Sequence, residues 1–146
     1  MPHPVYVIPE AMDALLALSK AVDRVGLPPR TRELVNLRAG QINGCGVCTV
    51  GHTRIAKKLG ETDDRLAAVS GWRDAPYFDD AERAALALTE EMTRLADRAH
   101  VSDEVWDEAR AQFDEPQLAA LVLTISQINL WNRLNVATRQ VAGQSW

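Results

Sequence analysis

Four residues between positions 33 and 52 have side chains that could do chemistry together: Glu33, Cys45, Cys48 and His52. If a helix resumes around the second cysteine, the spacings of three and four residues place Cys45, Cys48 and His52 on one helix face. Glu33 stands twelve residues before Cys45 and must therefore come from the preceding helix. The pattern predicts that a carboxylate, an imidazole and two sulfurs meet.

Thiol chemistry is the chemistry that this set favours. A thiolate is the reactive form of cysteine, and an ordinary thiol with a pKa of about 8.5 is only slightly ionised at neutral pH. Backbone N–H groups at a helix N-terminus would favour a negative sulfur, and His52 could accept the proton of Cys48 from one helical turn away. Glu33 would then orient the imidazole. We predict that Cys48 attacks a peroxide oxygen to become a sulfenic acid, that Cys45 condenses with it, and that an external dithiol restores both thiols.

A purely structural role for a Cys45–Cys48 disulfide is disfavoured. By the chain-entropy estimate, a bridge that closes four residues stabilises a fold by about 2 kcal/mol, against about 4.7 kcal/mol for a loop of a hundred residues. In a cytoplasmic chain, a close pair of cysteines is more often catalytic or metal-binding.

Length and composition indicate one domain, residues 1–146, of an ordinary globular protein, with 47% hydrophobic and 25% charged residues. The net charge of −4 and the pI near 5.3 argue against a nucleic-acid-binding surface. No apolar run approaches the roughly 20 residues that cross a bilayer. The N-terminus, MPHPVYVIPE, does not resemble a signal peptide, so we expect a cytoplasmic protein without a membrane partner.

Apolar residues recur three and four positions apart, without sustained β alternation, which predicts an all-α bundle of about six to seven helices. Asn43-Gly44 predicts the turn before the cysteines. The predicted helices are residues 9–24, a helix that starts at Pro28-Pro29 and carries Ile42, residues 47–60, a short helix capped by Thr62, a helix from Asp79 to about Ala99 with a capping box to Glu82, a helix capped by Ser102, and a helix from Asp114 to about Gln140.

The last helix is apolar on almost every side, which fits either self-association or the central helix of a monomeric bundle. It also carries a polar set that would line the site or an interface, or else form a structural hydrogen-bond network: Gln127, Asn129, Asn132, Arg133 and Asn135.

Outside these elements, His3 and His100 are predicted to lie on the surface. The tryptophans are predicted to pack in the core or an interface, with one of them, alternatively, shaping an apolar mouth for an organic peroxide: Trp72, Trp106, Trp131 and Trp146.

Three stretches resemble a known family: RELVNLRAGQINGCGVC, GWRDAPYFDDAERAALAL and QINLWNRLNVA. Over roughly residues 25–140, the chain is similar to the AhpD-like alkylhydroperoxidases of the carboxymuconolactone decarboxylase superfamily. The resemblance implies an all-helical fold that assembles as trimers or hexamers. It also implies Cys48 as peroxidatic cysteine, Cys45 as resolving cysteine, and His52 and Glu33 as a proton relay. The implied partners are a hydroperoxide and a lipoyl-type or thioredoxin-like dithiol donor, with no cofactor.

Different interpretations of the cluster stay open. The four side chains could bind zinc, although Glu is an uncommon fourth ligand. A thioredoxin-type enzyme also uses a CxxC pair but needs a βαβ context that the sequence lacks. Two further functions fit the same residues: a non-catalytic redox sensor, and a lactone decarboxylase that does not need the cysteines.

Overall fold

Helices make up nearly all of the regular structure in residues 1–143, the part of the chain that the computed structural model describes. These residues form eight α-helices and no β-strand, which confirms the predicted all-α fold. The helices are α1 (Pro4–Val7), α2 (Pro9–Asp23), α3 (Pro29–Ile42), α4 (Gly46–Lys58), α5 (Asp63–Ala68), α6 (Asp80–Thr93), α7 (Asp103–Gln112) and α8 (Glu115–Ala137). None of these eight helices is long and apolar enough to cross a membrane.

The N-terminal segment differs from the prediction. It contains α1, whose single turn is too short to show a helical period in the sequence. The prediction that His3 lies on the surface is wrong, because only 7% of His3 is exposed. Its Nδ1 accepts a hydrogen bond from the Val5 N–H at 3.4 Å, and its ring stacks on that of Trp131 with the centroids 5.8 Å apart. The segment therefore packs against α8. His100 is exposed, as predicted.

The predicted helix starts are confirmed by their caps. In each case an N-cap side chain accepts a hydrogen bond from a backbone N–H of the first turn: Thr62, Asp79, Ser102 and Asp114. The predicted capping box between Asp79 and Glu82 forms with reciprocal bonds, and a second capping box forms between Asp114 and Gln117.

Helix α6 is shorter than predicted, ending at Thr93 rather than near Ala99. A single 3₁₀ turn, Leu95–Asp97, follows it. The Glu91 carboxylate accepts hydrogen bonds from the backbone N–H and the hydroxyl of Ser102, at 2.7 and 3.1 Å. These bonds tie the start of α7 back to the last turn of α6, so the chain must leave the helix between them.

Helix α8 ends at Ala137 rather than near Gln140. Arg139 has a φ of 55°, in the left-handed region that a continuing α-helix does not use. The apolar surface of α8 is only partly covered within one chain. Three of its large apolar side chains are 38% to 50% exposed: Leu123, Leu130 and Val136.

The helix that is covered on all sides is α3, which packs against α4, α6 and α8. Residues 33–40 of α3 are all buried. At Gly40, a Cβ atom would lie 3.2 Å from Thr49 Oγ1 and 3.4 Å from Cys48 Cβ, so glycine lets α3 and α4 approach closely beside the second cysteine.

The sequence pattern does not reveal that α3 is the central helix, because several of its buried residues are charged. These residues are buried as ion pairs. Arg38 on α3 donates to Glu90 on α6 through Nε at 2.9 Å and Nη2 at 2.8 Å. Trp72 Nε1 also donates to Glu90, at 3.0 Å, and Arg73 donates to its other oxygen. Burial by itself would raise the pKa of Glu90, but the bonds from Arg73, Trp72 and Arg38 together outweigh it and lower the pKa. The ionised carboxylate therefore joins α3, α6 and the segment between α5 and α6.

Candidate active site

The carboxylate and the imidazole of the predicted cluster are in direct contact. Glu33, in the first half of α3, places Oε2 2.6 Å from Nδ1 of His52 on α4. The Glu33 side chain is 4% exposed and that of His52 21%. An ionised carboxylate can only accept hydrogen bonds, so Nδ1 carries the proton and Nε2 of a neutral His52 is left as the basic nitrogen. Arg32 Nε lies 3.6 Å from the other oxygen of Glu33.

Cys45 and Cys48 stand at the start of α4 and are joined in a disulfide. Gly44 turns the chain just before them, with a φ of 67°, as the predicted turn requires. Cys45 is the N-cap of α4, and its Sγ accepts a hydrogen bond from the Cys48 N–H at 3.2 Å. The sequence analysis expected backbone N–H groups at the helix N-terminus to favour a negative Cys48 sulfur. The Cys48 N–H instead donates to the sulfur of Cys45. Both cysteines are 1% exposed.

Cys48 receives its own hydrogen-bond donor from α8. Asn135 Nδ2 lies 3.4 Å from Cys48 Sγ, and the Asn135 side chain is buried. The sequence indicated Asn135 only as one of several polar residues on α8. Asn135 lies next to the Cys48 sulfur because of how α8 packs against α4. The only indication of this in the sequence was that polar residues occur on a largely apolar helix.

Two other asparagines of α8 form the structural hydrogen-bond network that the sequence also allowed. Asn43 Nδ2 donates to Asn129 Oδ1 at 2.9 Å and to Asn132 Oδ1 at 2.8 Å. Asn129 in turn donates to Thr93 Oγ1 at 3.1 Å. This network ties the turn before the cysteines to α8 and to the end of α6.

Three cavities surround the site. The His52 cavity, of about 220 Å³, is lined by Glu33, His52, Asn36, Trp131 and neighbouring residues. The Cys45 cavity, also about 220 Å³, is lined by Cys45, Asn135, Gln140 and neighbouring residues. The His3 cavity, of about 440 Å³, shares Trp131 with the first and Asn135 with the second. Space is therefore present both next to His52 and next to Cys45.

The arrangement does not assemble the four-ligand metal set considered from the sequence. The two sulfurs are bonded to each other, and Glu33 is bonded to the His52 ring. Within residues 1–143, no three His, Cys, Asp and Glu side chains converge as metal ligands would.

The fold and the site define a class of all-helical proteins in which a CxxC pair opens the helix that carries a carboxylate-bound histidine. Residues 9–91 match the model of the carboxymuconolactone decarboxylase family. The chain is also 37% identical over 131 residues to YdfG, an uncharacterized protein of Bacillus subtilis, covering 90% of this chain and 88% of that protein. The chain belongs to the carboxymuconolactone decarboxylase family.

Solved structures agree with this assignment. ATU0492 of Agrobacterium tumefaciens, a protein of unknown function that has been linked to the antioxidant defence protein AhpD, superposes with a TM-score of 0.90. The two are 30% identical, and the match covers 98% of this chain and 97% of that one. The debrominase Bmp8 shares the fold, with a TM-score of 0.80 at 21% identity, over 94% of this chain and 74% of that one. The AhpD-like fold predicted from the sequence is thereby confirmed.

Proposed function

We propose that the protein is a thiol-dependent hydroperoxide reductase in which Cys48 is the peroxidatic cysteine and Cys45 the resolving cysteine. The observation that carries the proposal is one local arrangement. A cysteine pair able to form a disulfide opens α4, and the same helix carries a histidine held by a buried carboxylate at 2.6 Å. The likeness to a protein linked to AhpD supports an antioxidant role.

His52 acts as the base in the first step. Cys48 and His52 are four residues apart within α4, hence one turn and about 6 Å along the axis. In the reduced protein, Nε2 takes the Cys48 proton directly or through one water, while Glu33 holds the ring by Nδ1. Asn135 donates to the sulfur and favours its ionised form.

Peroxide reduction then follows with balanced atoms. The Cys48 thiolate attacks the terminal oxygen of the hydroperoxide, so that an S–O bond forms and the O–O bond breaks. The leaving alkoxide takes the proton from His52, which gives an alcohol and a Cys48 sulfenic acid. The Cys45 thiol then attacks the sulfenic sulfur, and water leaves as the disulfide forms. An external dithiol, lipoyl-type or carried by a thioredoxin-like protein, reduces the disulfide in two exchange steps.

We also propose that the protein works as a homo-oligomer. Leu123 and Leu130 are seven residues apart, hence on one side of α8, and are 43% and 38% exposed in the single chain. A second copy packed on this side would remove both side chains from water, which is favourable in proportion to the apolar area buried.

Turnover tests the proposed activity. With cumene hydroperoxide and excess dithiothreitol, we expect peroxide loss over many equivalents of protein, and none above background for Cys48→Ser. Oxidation that stops at one equivalent, with a change in oligomer size, would instead indicate a redox sensor. Activity that survives replacement of both cysteines would indicate acid–base chemistry of the decarboxylase kind.

A further inference from the structure

Cys45 is buried but borders a cavity large enough for a small molecule. Its exposed fraction is 1%, and the Cys45 cavity beside it has a volume of about 220 Å³. A slim thiol can enter a space of this size, whereas the broad surface of a folded protein cannot. Attack on Cys45 would release the sulfur of Cys48 as a thiolate, which the Asn135 amide 3.4 Å away would stabilise. The cavity therefore leads to the sulfur whose attack frees a stabilised leaving group.

Arg139 gives this cavity its charge, as the only charged residue among the described residues that line it. Its φ of 55° follows the end of α8. There, the Gln140 N–H donates to the Asn135 carbonyl at 3.0 Å, and the Arg139 N–H donates to the Val136 carbonyl at 3.2 Å. Glycine normally occupies the left-handed position of this helix-ending motif. Arginine strains the backbone at such a position, which indicates a function for its side chain.

The chain segments around the cysteine pair carry no acidic residue. The chain has 20 Asp and Glu residues, but none lies in residues 34–60, which include α4, or in residues 116–143, which include nearly all of α8. A neighbouring cavity, of about 340 Å³, has Val136 in its lining like the first, and Arg133 is the only charged residue among the described residues that line it. Asn132 also lines it, and its buried Nδ2 makes no hydrogen bond within residues 1–143. A carboxylate approaching Cys45 along α8 would therefore meet positive charge and an unpaired donor.

We propose that the Cys45 cavity binds a low-molecular-weight thiol that carries a carboxylate, and that Arg139 pairs with this carboxylate while the thiol reduces the disulfide. The thiolate attacks Cys45 Sγ, so that a mixed disulfide forms, the Cys45–Cys48 bond breaks and Cys48 leaves as a thiolate. A second thiolate attacks the reductant sulfur of the mixed disulfide, which releases the oxidised reductant and the Cys45 thiolate. The two protons that the reductant thiols lose return to Cys45 and to the Cys48–His52 pair.

This inference deepens the proposed function, because it names the chemical class of the reductant and favours a small molecule over a thioredoxin-like protein. It rests on the proposed function for its biological role, but the reduction step can be measured without peroxide.

Reduction of the oxidised protein in the absence of peroxide tests the inference. N-acetylcysteine and N-acetylcysteine amide are matched probes, because only the first carries a carboxylate. Free cysteine thiols are trapped with iodoacetamide at timed intervals and counted by mass spectrometry. Because the two probes differ in intrinsic reactivity, each variant is compared with wild type separately for each probe.

The variants separate charge from folding. Arg139→Gly removes the charge and suits the positive φ, so the melting temperature should not fall. We expect it to lower the reduction rate with N-acetylcysteine about threefold to fivefold and to leave the rate with the amide unchanged. Arg139→Lys should retain most of the rate, and Arg110→Gln, at an exposed position on α7, should match wild type. Potassium chloride at about 1 M should remove most of the difference between wild type and Arg139→Gly.

Acid quenching should trap the mixed disulfide, with N-acetylcysteine located on Cys45 by peptide mapping. An adduct on Cys48, an equal loss for both probes in Arg139→Gly, or no loss with N-acetylcysteine would each overturn the inference. If reduction depends on Arg139 but the protein consumes no hydroperoxide, the proposed function fails and the reductant site stands. If peroxide is consumed with dithiothreitol while Arg139→Gly behaves as wild type with both probes, the reductant site fails and the proposed function stands.

Discussion

Asn135 on α8 donates its side-chain amide to the sulfur of Cys48 on α4, with Nδ2 and Sγ 3.4 Å apart. The two residues are 87 positions apart in the sequence, and both are buried. The bond therefore exists only because α8 packs against the start of α4. It gives Cys48 an uncharged donor, while the helix N-terminal N–H is directed to Cys45.

Removing the Asn135 amide should make Cys48 less reactive. A hydrogen bond to a charged group contributes about 1.5–3 kcal/mol, so in reduced Asn135→Ala the pKa of the Cys48 thiol should rise and peroxide reduction at pH 7 should slow about tenfold or more. The measurement is the rate of sulfenic acid formation against pH. Asn129→Ala provides the matched control, because Asn129 is buried on the same helix and bonds to Asn43 and Thr93 but not to sulfur. A pH profile that moves equally in both variants would mean that Asn135 acts only through the fold.

Replacing Cys48 and replacing Cys45 should have different effects on peroxide consumption. Cys48→Ser should abolish peroxide consumption, because no nucleophile remains next to His52. Cys45→Ser should still consume one equivalent of peroxide and stop at a Cys48 sulfenic acid, which dimedone labelling and mass spectrometry detect. Labelling of Cys45 in Cys48→Ser, with retained turnover, would reverse the two roles.

Glu33→Gln should impair catalysis without removing the base. Glutamine has a similar shape but no charge, so it neither fixes the His52 tautomer nor stabilises the protonated ring. We expect kcat to fall about tenfold or more, which is within the range of rate enhancement that positioned acid–base groups supply. KM should stay nearly unchanged. Both the acid and the alkaline limb of the pH profile should be displaced. Glu104→Gln, at an exposed position on α7, is the control. An unaltered pH profile in Glu33→Gln would show that the 2.6 Å contact is structural.

Glu90 should stabilise the fold in a pH-dependent way. Its pKa is lowered in the folded protein, so its contribution is present above the ordinary carboxyl value of about 4.5 and is lost as the pH falls through the lower folded value. Glu90→Gln leaves Arg38 and Arg73 without their buried partner, and it should reduce the free energy of unfolding at pH 7 by about 3–5 kcal/mol.

Urea unfolding between pH 7 and pH 3 measures this effect. The difference between wild type and Glu90→Gln should shrink on acidification, and the exposed Glu108→Gln should differ little from wild type throughout. A difference that stays constant with pH would mean that the cluster acts through packing rather than through charge.

The sequence predicted those features that depend on neighbouring residues. The caps at Asp79 and Asp114, and the order of cysteines and histidine on α4, follow from spacings of three and four residues. The approach of Glu33 to His52 was predicted only as a requirement of the chemistry, and the structure supplies the distance.

What the sequence did not predict depends on tertiary packing. The burial of His3 arises from a one-turn helix stacked on Trp131, which leaves no periodic signal. The central position of α3 is hidden because Glu33 and Arg38 are charged but buried with partners from other helices. Trp146 lies outside the described residues, so its predicted packing stays a prediction.

The central claim is that His52 keeps the Cys48 sulfur ionised in the reduced protein. Its most direct measurement is the rate of Cys48 alkylation by iodoacetamide against pH, in the Cys45→Ser background, with and without His52→Ala. We predict a midpoint well below the ordinary thiol pKa of about 8.5, which returns toward that value when His52 is removed. An ordinary midpoint in the protein that retains His52, or the same lowered midpoint without it, would contradict the account.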